Sequence, residues 1–437
     1  VTLVDLTPRT TVSDRLATLP VLIIGAGPIG LAAAANLVER GIDFIVLEGG
    51  DRVGASIRLW GHTRLFSPWR HLIDPASRRL LSAAGWSPPA AEGDAPTGQE
   101  LVDAYLAPLA EIEAIRSRIR FGTRVVAVTR EGMDRTRTAG RERAPFLVRV
   151  QEPHGGVSEL AGRSVIDASG TYSNPNPLGS SGLDPLGAAE VDGLVLHALP
   201  DVLGAERARF AGRHTTVVGA GHSAANTLIG LVELARTEPG TRVTWLIRNP
   251  TAVRVSSSAD DDLADRARLG SRVDQLVRSG AVAKVDSFQI TRIAAHEGGI
   301  RVLGTRRGEP AMHDTDLVVN ATGFRPDLGM LREIRLALDD IVEAPVRLAP
   351  LIDPNVHSCG TVAPHGFDEL RHPEPGFFVV GMKSYGRAPT FLLATGYEQV
   401  RSVAAWLDGD MRAATEVQLT LPATGVCSTD QVGGGCC

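Results

Sequence analysis

A four-residue apolar run, Val21–Ile24, meets Gly25-Ala26-Gly27-Pro28-Ile29-Gly30, and an alanine-rich stretch follows over 31–40. Three glycines and a proline this close together break any continuous helix or strand. The run is therefore read as a buried strand, the glycines as a tight turn and the rest as a helix. Residues 21–38 carry no charge and imitate a short membrane span in length, but the same glycines and Pro28 divide them. Gly41 stops the helix. Residues 45–48 then read as a second strand ending in the acid Glu48.

The grammar recurs. Residues 215–218 are apolar or β-branched, Gly219-Ala220-Gly221-His222-Ser223-Ala224 follows, a helix is expected over 225–235, Pro239-Gly240 breaks it, and a strand is expected over 243–248. In the first unit Gly25 allows the turn, Gly27 lets backbone amides approach a pyrophosphate, Gly30 permits close helix–strand packing, and Glu48 stands where a carboxylate accepts from ribose hydroxyls. The helix N-terminus favours phosphate. In the second, Gly219 and Gly221 keep their places and Ala224 replaces the third glycine, which the pattern tolerates. Its strand ends in Arg248 instead of an acid. A guanidinium pairs with phosphate in bidentate fashion, so this unit is expected to take NADPH, with Arg254 as a second candidate contact. Two such units predict an electron relay, one holding FAD and the other bringing reducing power to it.

The remaining composition narrows the class. The chain has 437 residues, 43% of them hydrophobic, with a net charge of -5, enough for two or three domains. No basic face for nucleic acid and no Lys/Arg block for a membrane surface is present. The first residues have no signal-peptide layout, and the four cysteines form no disulfide framework. A soluble, cytoplasmic protein is expected, with a small-molecule substrate as partner and its oligomeric state open. No Ser-His-Asp, metal or paired-carboxylate constellation competes for the chemistry, and no catalytic side chain is assigned. His62, His71, His222 and His365 are read as structural or supporting groups, with His62 and Trp60 candidates for the flavin edge.

Short strands are expected at 124–129, 146–151 and 164–167, forming a small antiparallel layer, with the charged stretch 134–144 as a mobile hairpin tip and 179–193 as a linker. Residues 317–323 and 377–381 read as strands ending in glycine turns, before a helix over 395–407. The expected fold is α/β, two Rossmann-like dinucleotide-binding domains with the second inserted in the first. Residues 1–195 and 320–420 would form the FAD domain, 196–319 the NADPH domain and 421–437 a flexible tail.

The chain resembles the two-dinucleotide-binding-domain flavoproteins, and within them the flavin-containing monooxygenase-like branch. The likeness rests on the two glycine loops with Glu48, on Asp167-Ala168-Ser169-Gly170, and on Asn320-Ala321-Thr322-Gly323-Phe324-Arg325-Pro326. It implies that the Ala-Thr-Gly segment links the domains and that the segment after Gly381 lies along the flavin. Gly49, Arg52, Val126, Ala168, Gly170, His222, Ser223, Thr322, Gly323, Gly381 and Met382 join Pro28, Ile29 and the loop glycines as candidate cofactor contacts. Residues 381–389 and the cysteine-rich end look like the flavoproteins of bacterial arsenic-resistance operons. Phe210, Gly212 and His214 depart from the spacing of the branch signature, and 59–70 lacks the asparagine the branch places beside the flavin. The resemblance implies flavin reduction by NADPH, with molecular oxygen as a further partner; whether oxygen is transferred stays open.

Cys427, Cys436 and Cys437 cluster around three glycines at the end of the sequence. Three thiolates can converge on one soft ion such as As(III), whereas a structural zinc takes four ligands; an inert tail is the other reading. Leu421-Pro422-Ala423-Thr424-Gly425 matches a sortase signal in letters but lacks its apolar span. Cys359 reads as a core thiol. No Cys-x-x-Cys or Cys-x4-Cys exists, which disfavours dithiol chemistry at the flavin. Three functions remain: a monooxygenase acting on a soft or trivalent arsenic or sulfur substrate, a soft-metal or disulfide-type reductase, and a metalloid-binding flavoprotein without catalysis.

Overall fold

The computed structural model describes residues 12–252, 264–353, 362–388 and 391–419. The first strand, β1 (Val21–Ile24), is buried along its whole length and leads through the glycine turn into the helix Pro28–Glu39. Strands β2 (Phe44–Leu47) and β3 (Ile119–Arg120) follow, then an antiparallel sheet of β4 (Arg124–Arg130), β5 (Phe146–Gln151) and β6 (Val157–Gly162), then β7 (Ser164–Asp167). The chain next enters β8 (Val195–Leu196), β9 (His214–Val218), the helix His222–Thr237, β10 (Arg242–Leu246) and β11 (Ala283–Val285). A second antiparallel sheet, β12 (Phe288–His296), β13 (Gly299–Arg306) and β14 (Glu309–Thr315), precedes β15 (Leu317–Asn320). Strand β16 (Phe377–Val379) and the helix Leu393–Leu407 complete the first domain.

Two parallel five-stranded sheets result, ordered β16-β7-β1-β2-β3 and β11-β10-β9-β15-β8. Their alternation builds two faces. Val21 and Ile23 of β1 pack with the helices, while Leu22 and Ile24 pack with Phe146, Val148 and Val150 of the antiparallel sheet. The second domain repeats this, with Val217 on the helix side and Val218 against Phe288 and Ile290. The duplication thus extends beyond the strand–loop–helix unit legible in the sequence. Each half carries a three-stranded antiparallel sheet inserted before the strand that returns beside the first. The second domain lies in the sequence between β7 and β16, so the fold is two dinucleotide-binding domains, one inserted in the other.

Two expectations fail. Residues 164–167 do not join the antiparallel layer. β7 runs parallel between β1 and β16, with all four residues buried, and β6 is the third antiparallel strand. A short apolar run buried on both faces carries no alternation to reveal its sheet. The stretch 134–144 is not a loose tip either. Arg141, 3% exposed, donates from Nε to both Glu374 oxygens at 3.1 and 2.9 Å, and Arg130 Nε donates to Glu374 Oε1 at 2.8 Å. Arg335 reaches the carbonyls of Arg135 and Arg137 at 2.9 Å. Charge pairing, not apolar burial, anchors the segment. Residues 179–193 lie against β12: Ser180 N–H donates to the Ile290 carbonyl at 3.0 Å, and Val191 is buried in the cluster that holds Phe288 and Ile290. Among the described residues no helix is long and apolar enough to cross a membrane.

Candidate dinucleotide sites

The glycines of the two loops separate by what each must avoid. Gly25 has φ +100°, and a Cβ there would meet the Ala168 carbonyl oxygen at 2.8 Å. Gly219 has φ +137°, and its Cβ would meet the Ala321 carbonyl oxygen. A Cβ at Gly30 would strike the Gly25 carbonyl oxygen. Backbone conformation or close packing explains all three. Gly27 and Gly221 are different. Their backbones are extended, at φ -82° and -104°, and among the described residues nothing lies within 4 Å of a Cβ at either. A side chain would meet no described residue there. Each caps a helix without a side-chain hydrogen bond and with no acid in the first turn. With no side chain capping either helix, each N-terminus begins at a glycine with open space at its Cβ position, a setting suited to phosphate.

Both loops are braced the same way from the neighbouring strand. Asp167 Oδ1 accepts from Ser169 N–H and Oγ at 3.1 and 2.6 Å. Asn320 Oδ1 accepts from Thr322 N–H and Oγ1 at 3.2 and 2.7 Å. Gly170 and Gly323 then turn at φ +70° and +97°. The chemistry differs at one point. Asn320 Nδ2 donates to the Asn176 carbonyl at 2.8 Å, whereas Asp167, fully buried, receives the Lys383 ammonium at 2.7 Å.

Glu48 bridges the first loop, accepting from Ala26 N–H at 2.6 Å and from Gly50 N–H at 2.7 Å. Arg124 packs 3.9 Å from where a Gly49 Cβ would stand. Val126 sits at a β-bulge between Val125 and Ala127 and is 40% exposed, so its backbone is outside the regular ladder. Gly381, at φ +69°, abuts Ile29, since a Cβ there would lie 3.0 Å from Ile29 Cγ1. Gly25, Pro28, Ile29, Gly30, Glu48, Ala168 and Gly381 are thereby gathered around one loop. Met382, the next residue, is half-buried. Arg52, Trp60 and His62 have other partners: Arg52 is exposed and paired with Asp51 at 2.7 Å, Trp60 covers Gly98, and exposed His62 meets Thr63 Oγ1 at 3.3 Å.

In the second domain the Trp245 indole N–H donates to the Gly219 carbonyl at 2.7 Å and pins the loop. Arg248 is exposed just past β10, its Nη1 donating to the Ser180 carbonyl at 3.3 Å. Ser223 and Ala224 continue the helix that His222 opens, and the His222 ring lies 5.1 Å from Phe66 of the first domain. Cys359, Cys427, Cys436, Cys437 and Arg254 lie outside the described residues. Among the described residues no cluster of three or more His, Cys, Asp or Glu could hold a metal.

Sequence reading missed Lys383, Gln399, Ser384 and Arg124. Gln399 is fully buried and receives the Gly381 N–H on Oε1 at 2.7 Å. Lys383 and Ser384 stand in the run 381–389 used for the resemblance, but no local pattern marks a role for them, for Gln399 or for Arg124.

This architecture, with a glycine-loop cradle in each half, is the two-dinucleotide-binding-domain fold, and the family match makes the chain an oxidoreductase. The chain belongs to the pyridine nucleotide-disulphide oxidoreductase family, whose model matches residues 22–346. Indole-3-pyruvate monooxygenase YUCCA6 of Arabidopsis thaliana is 30% identical over 211 residues, covering 48% of this chain and 44% of that protein. The match therefore spans less than half the length of that curated relative. The bacillithiol disulfide reductase Bdr of Bacillus cereus superposes with TM-score 0.66 at 20% identity, over 90% of this chain and 99% of the other. DfoA, the FAD-bound cadaverine monooxygenase of Erwinia amylovora, gives TM-score 0.63 at 13% identity, over 93% and 99%.

Proposed function

We propose that this chain is an NADPH-consuming, FAD-dependent monooxygenase acting on a soft or trivalent arsenic- or sulfur-type substrate in the cytoplasm. One observation carries the cofactor part: Gly27 and Gly221 are required by neither backbone strain nor protein packing, which leaves a ligand as the reason for a missing side chain. FAD fits the first cradle. Its pyrophosphate would take the helix N-terminus after Gly27, its ribose Glu48, its adenine the bulged backbone at Val126, and its ribityl end the turn at Gly381. NADPH fits the second, with its pyrophosphate after Gly221 and its 2′-phosphate on Arg248. When bound, FAD supplies the redox chemistry: two electrons from NADPH, one atom of O2 to the substrate and the other to water.

Arg248→Ala is expected to weaken NADPH about ten- to a hundredfold while NADH hardly changes, since a charge-assisted contact contributes roughly 1.5–3 kcal/mol. Steady-state KM values for both cofactors check this. Equal losses would remove Arg248 from the 2′-phosphate.

The monooxygenase reading is favoured over a disulfide-type reductase by the cysteines, none of which falls in a flavin-adjacent Cys-x-x-Cys or Cys-x4-Cys pair. The arsenic reading rests on resemblance and on the thiols of Cys427, Cys436 and Cys437. A tethered substrate gains effective concentration over a free one. Deleting residues 426–437 should keep the flavin spectrum and NADPH reduction, abolish binding of a trivalent arsenical, and lower arsenical-dependent NADPH and oxygen consumption. NADPH use without matching oxygen uptake would favour a reductase instead. Equal binding and turnover by the shortened chain would make the tail a bystander.

A further inference from the structure

The turn that begins at Gly381 is held from behind by a closed chain of buried polar groups. Gly381 N–H donates to Gln399 Oε1 at 2.7 Å. Gln399 Nε2 donates to Ser384 Oγ at 3.0 Å, and Ser384 Oγ donates to the Gly381 carbonyl at 2.7 Å. The second hydrogen of Gln399 Nε2 meets His365 Nε2 at 2.9 Å, and His365 Nδ1 meets the Ala363 carbonyl at 3.0 Å. Gln399 and Ser384 are 0% exposed and His365 is 1% exposed.

Only one assignment of protons satisfies every member. Ala363 offers an acceptor, so His365 Nδ1 carries its proton. His365 Nε2 must then be a bare lone pair, because Gln399 turns its amide hydrogens toward it. The amide cannot flip, since that would set an N–H against the Gly381 N–H and an oxygen against the His365 lone pair. Neutral His365 thus fixes the orientation of Gln399, and Gln399 fixes the turn that abuts Ile29 in the first glycine loop.

We propose that Gln399 and His365 are positioning residues for the flavin, and that the neutral imidazole is what keeps the Gly381 turn in its cofactor-holding shape. This rests on the reading that places FAD at Gly381. A proton on His365 Nε2 would oppose two donors and release the amide, and with it the Gly381 N–H. Burial already holds the His365 pKa below the ordinary histidine value. A lowered value means that the neutral form is favoured by folding. Its contribution is complete above the ordinary histidine range and is lost as pH falls through the lowered value. Among the described residues the groups facing His365 are Glu369 on the helix Phe367–Leu370, Glu398 on the helix Leu393–Leu407, and the Tyr385 ring at 5.8 Å. Both carboxylates favour the proton, and burial outweighs them.

The test is an acid titration of the reconstituted holoprotein, read by the fluorescence of released FAD, with FAD affinity measured at neutral pH. Wild type is expected to release flavin as His365 takes its proton. His365→Gln keeps an acceptor toward Gln399 but cannot titrate, so its release should shift down by about one pH unit or more. Gln399→Glu can accept from both Gly381 N–H and a protonated His365, so it should retain flavin in acid. Gln399→Leu strands a buried N–H and should weaken FAD about tenfold at neutral pH. Release by His365→Gln at the wild-type pH, or wild-type affinity in Gln399→Leu, would overturn the proposal. Gly27→Val separates the two levels: if it keeps its flavin, the site itself is misplaced. If it loses flavin while Gln399→Leu binds normally, only the relay falls.

Discussion

Gly27→Val is expected to purify as a folded, colourless protein. The argument turns on the contrast between adjacent glycines of one loop. Gly27 has an extended backbone and open space around its missing side chain, so valine introduces neither strain nor a clash. Its cost to the apoprotein is a poorer helix cap, roughly 1 kcal/mol. Its branches would fill the space in front of the helix N-terminus, where the pyrophosphate needs backbone contact. Gly25→Val should behave in the opposite order, because φ +100° and the Ala168 carbonyl at 2.8 Å strain the fold before any ligand arrives. Visible absorbance and a thermal melt distinguish the two. A yellow, stoichiometric Gly27→Val protein would remove FAD from this loop.

Glu374→Ala should be among the most destabilising single changes in the chain. Glu374 is fully buried in side chain and pairs with Arg130 and Arg141, whose side chains are 1% and 4% exposed. Arg130 also donates to the Ala144 carbonyl at 2.6 Å and lies over the Phe146 ring. Removing the carboxylate leaves two buried guanidinium groups without a counter-charge. Breaking a buried ion pair in this way costs roughly 3–5 kcal/mol. Glu374→Gln keeps the acceptor and should lose less. Denaturant unfolding measures the loss, and limited proteolysis should show cleavage within 134–144, which the triad anchors. An unaltered unfolding midpoint would show that the arginines find other partners.

What the sequence revealed depended on distance along the chain. The glycine loops were legible because strand, turn, helix and the following strand end fall within about 30 residues, and each position has a local reason. Glu48 and Arg248 were singled out by the same spacing. The bracing by Asp167 and Asn320 sits in short motifs that were noticed for their resemblance, but their shared hydrogen bonds were not visible. Lys383 is separated from Asp167 by 216 positions, and no periodicity links an isolated lysine to one carboxylate that far away. Arg141 was misjudged for a related reason. A charged stretch with few large apolar groups is usually solvated, and only the distant Glu374 makes this one a buried anchor. Ser164–Asp167 was misplaced because a short buried run has the same letters in either kind of sheet.

The inserted arrangement of the two halves bears on how the chain is made. The second domain is continuous in sequence and can close as soon as β15 is synthesised. The first cannot. β7 pairs with β16, and the two lie roughly two hundred residues apart, about 10–40 s of translation. Through that interval β7 lacks its partner β16, so a sheet formed by then would carry an open apolar edge at Val165 and Ile166, the kind of edge that recruits other strands. The turn at Gly381, Lys383 and Gln399 is also still to come, so the cradle around Gly27 lacks its far wall. With FAD placed as proposed, the Gly381 wall of its cradle is synthesised only after every strand of the second unit, so cofactor capture is expected late in biogenesis.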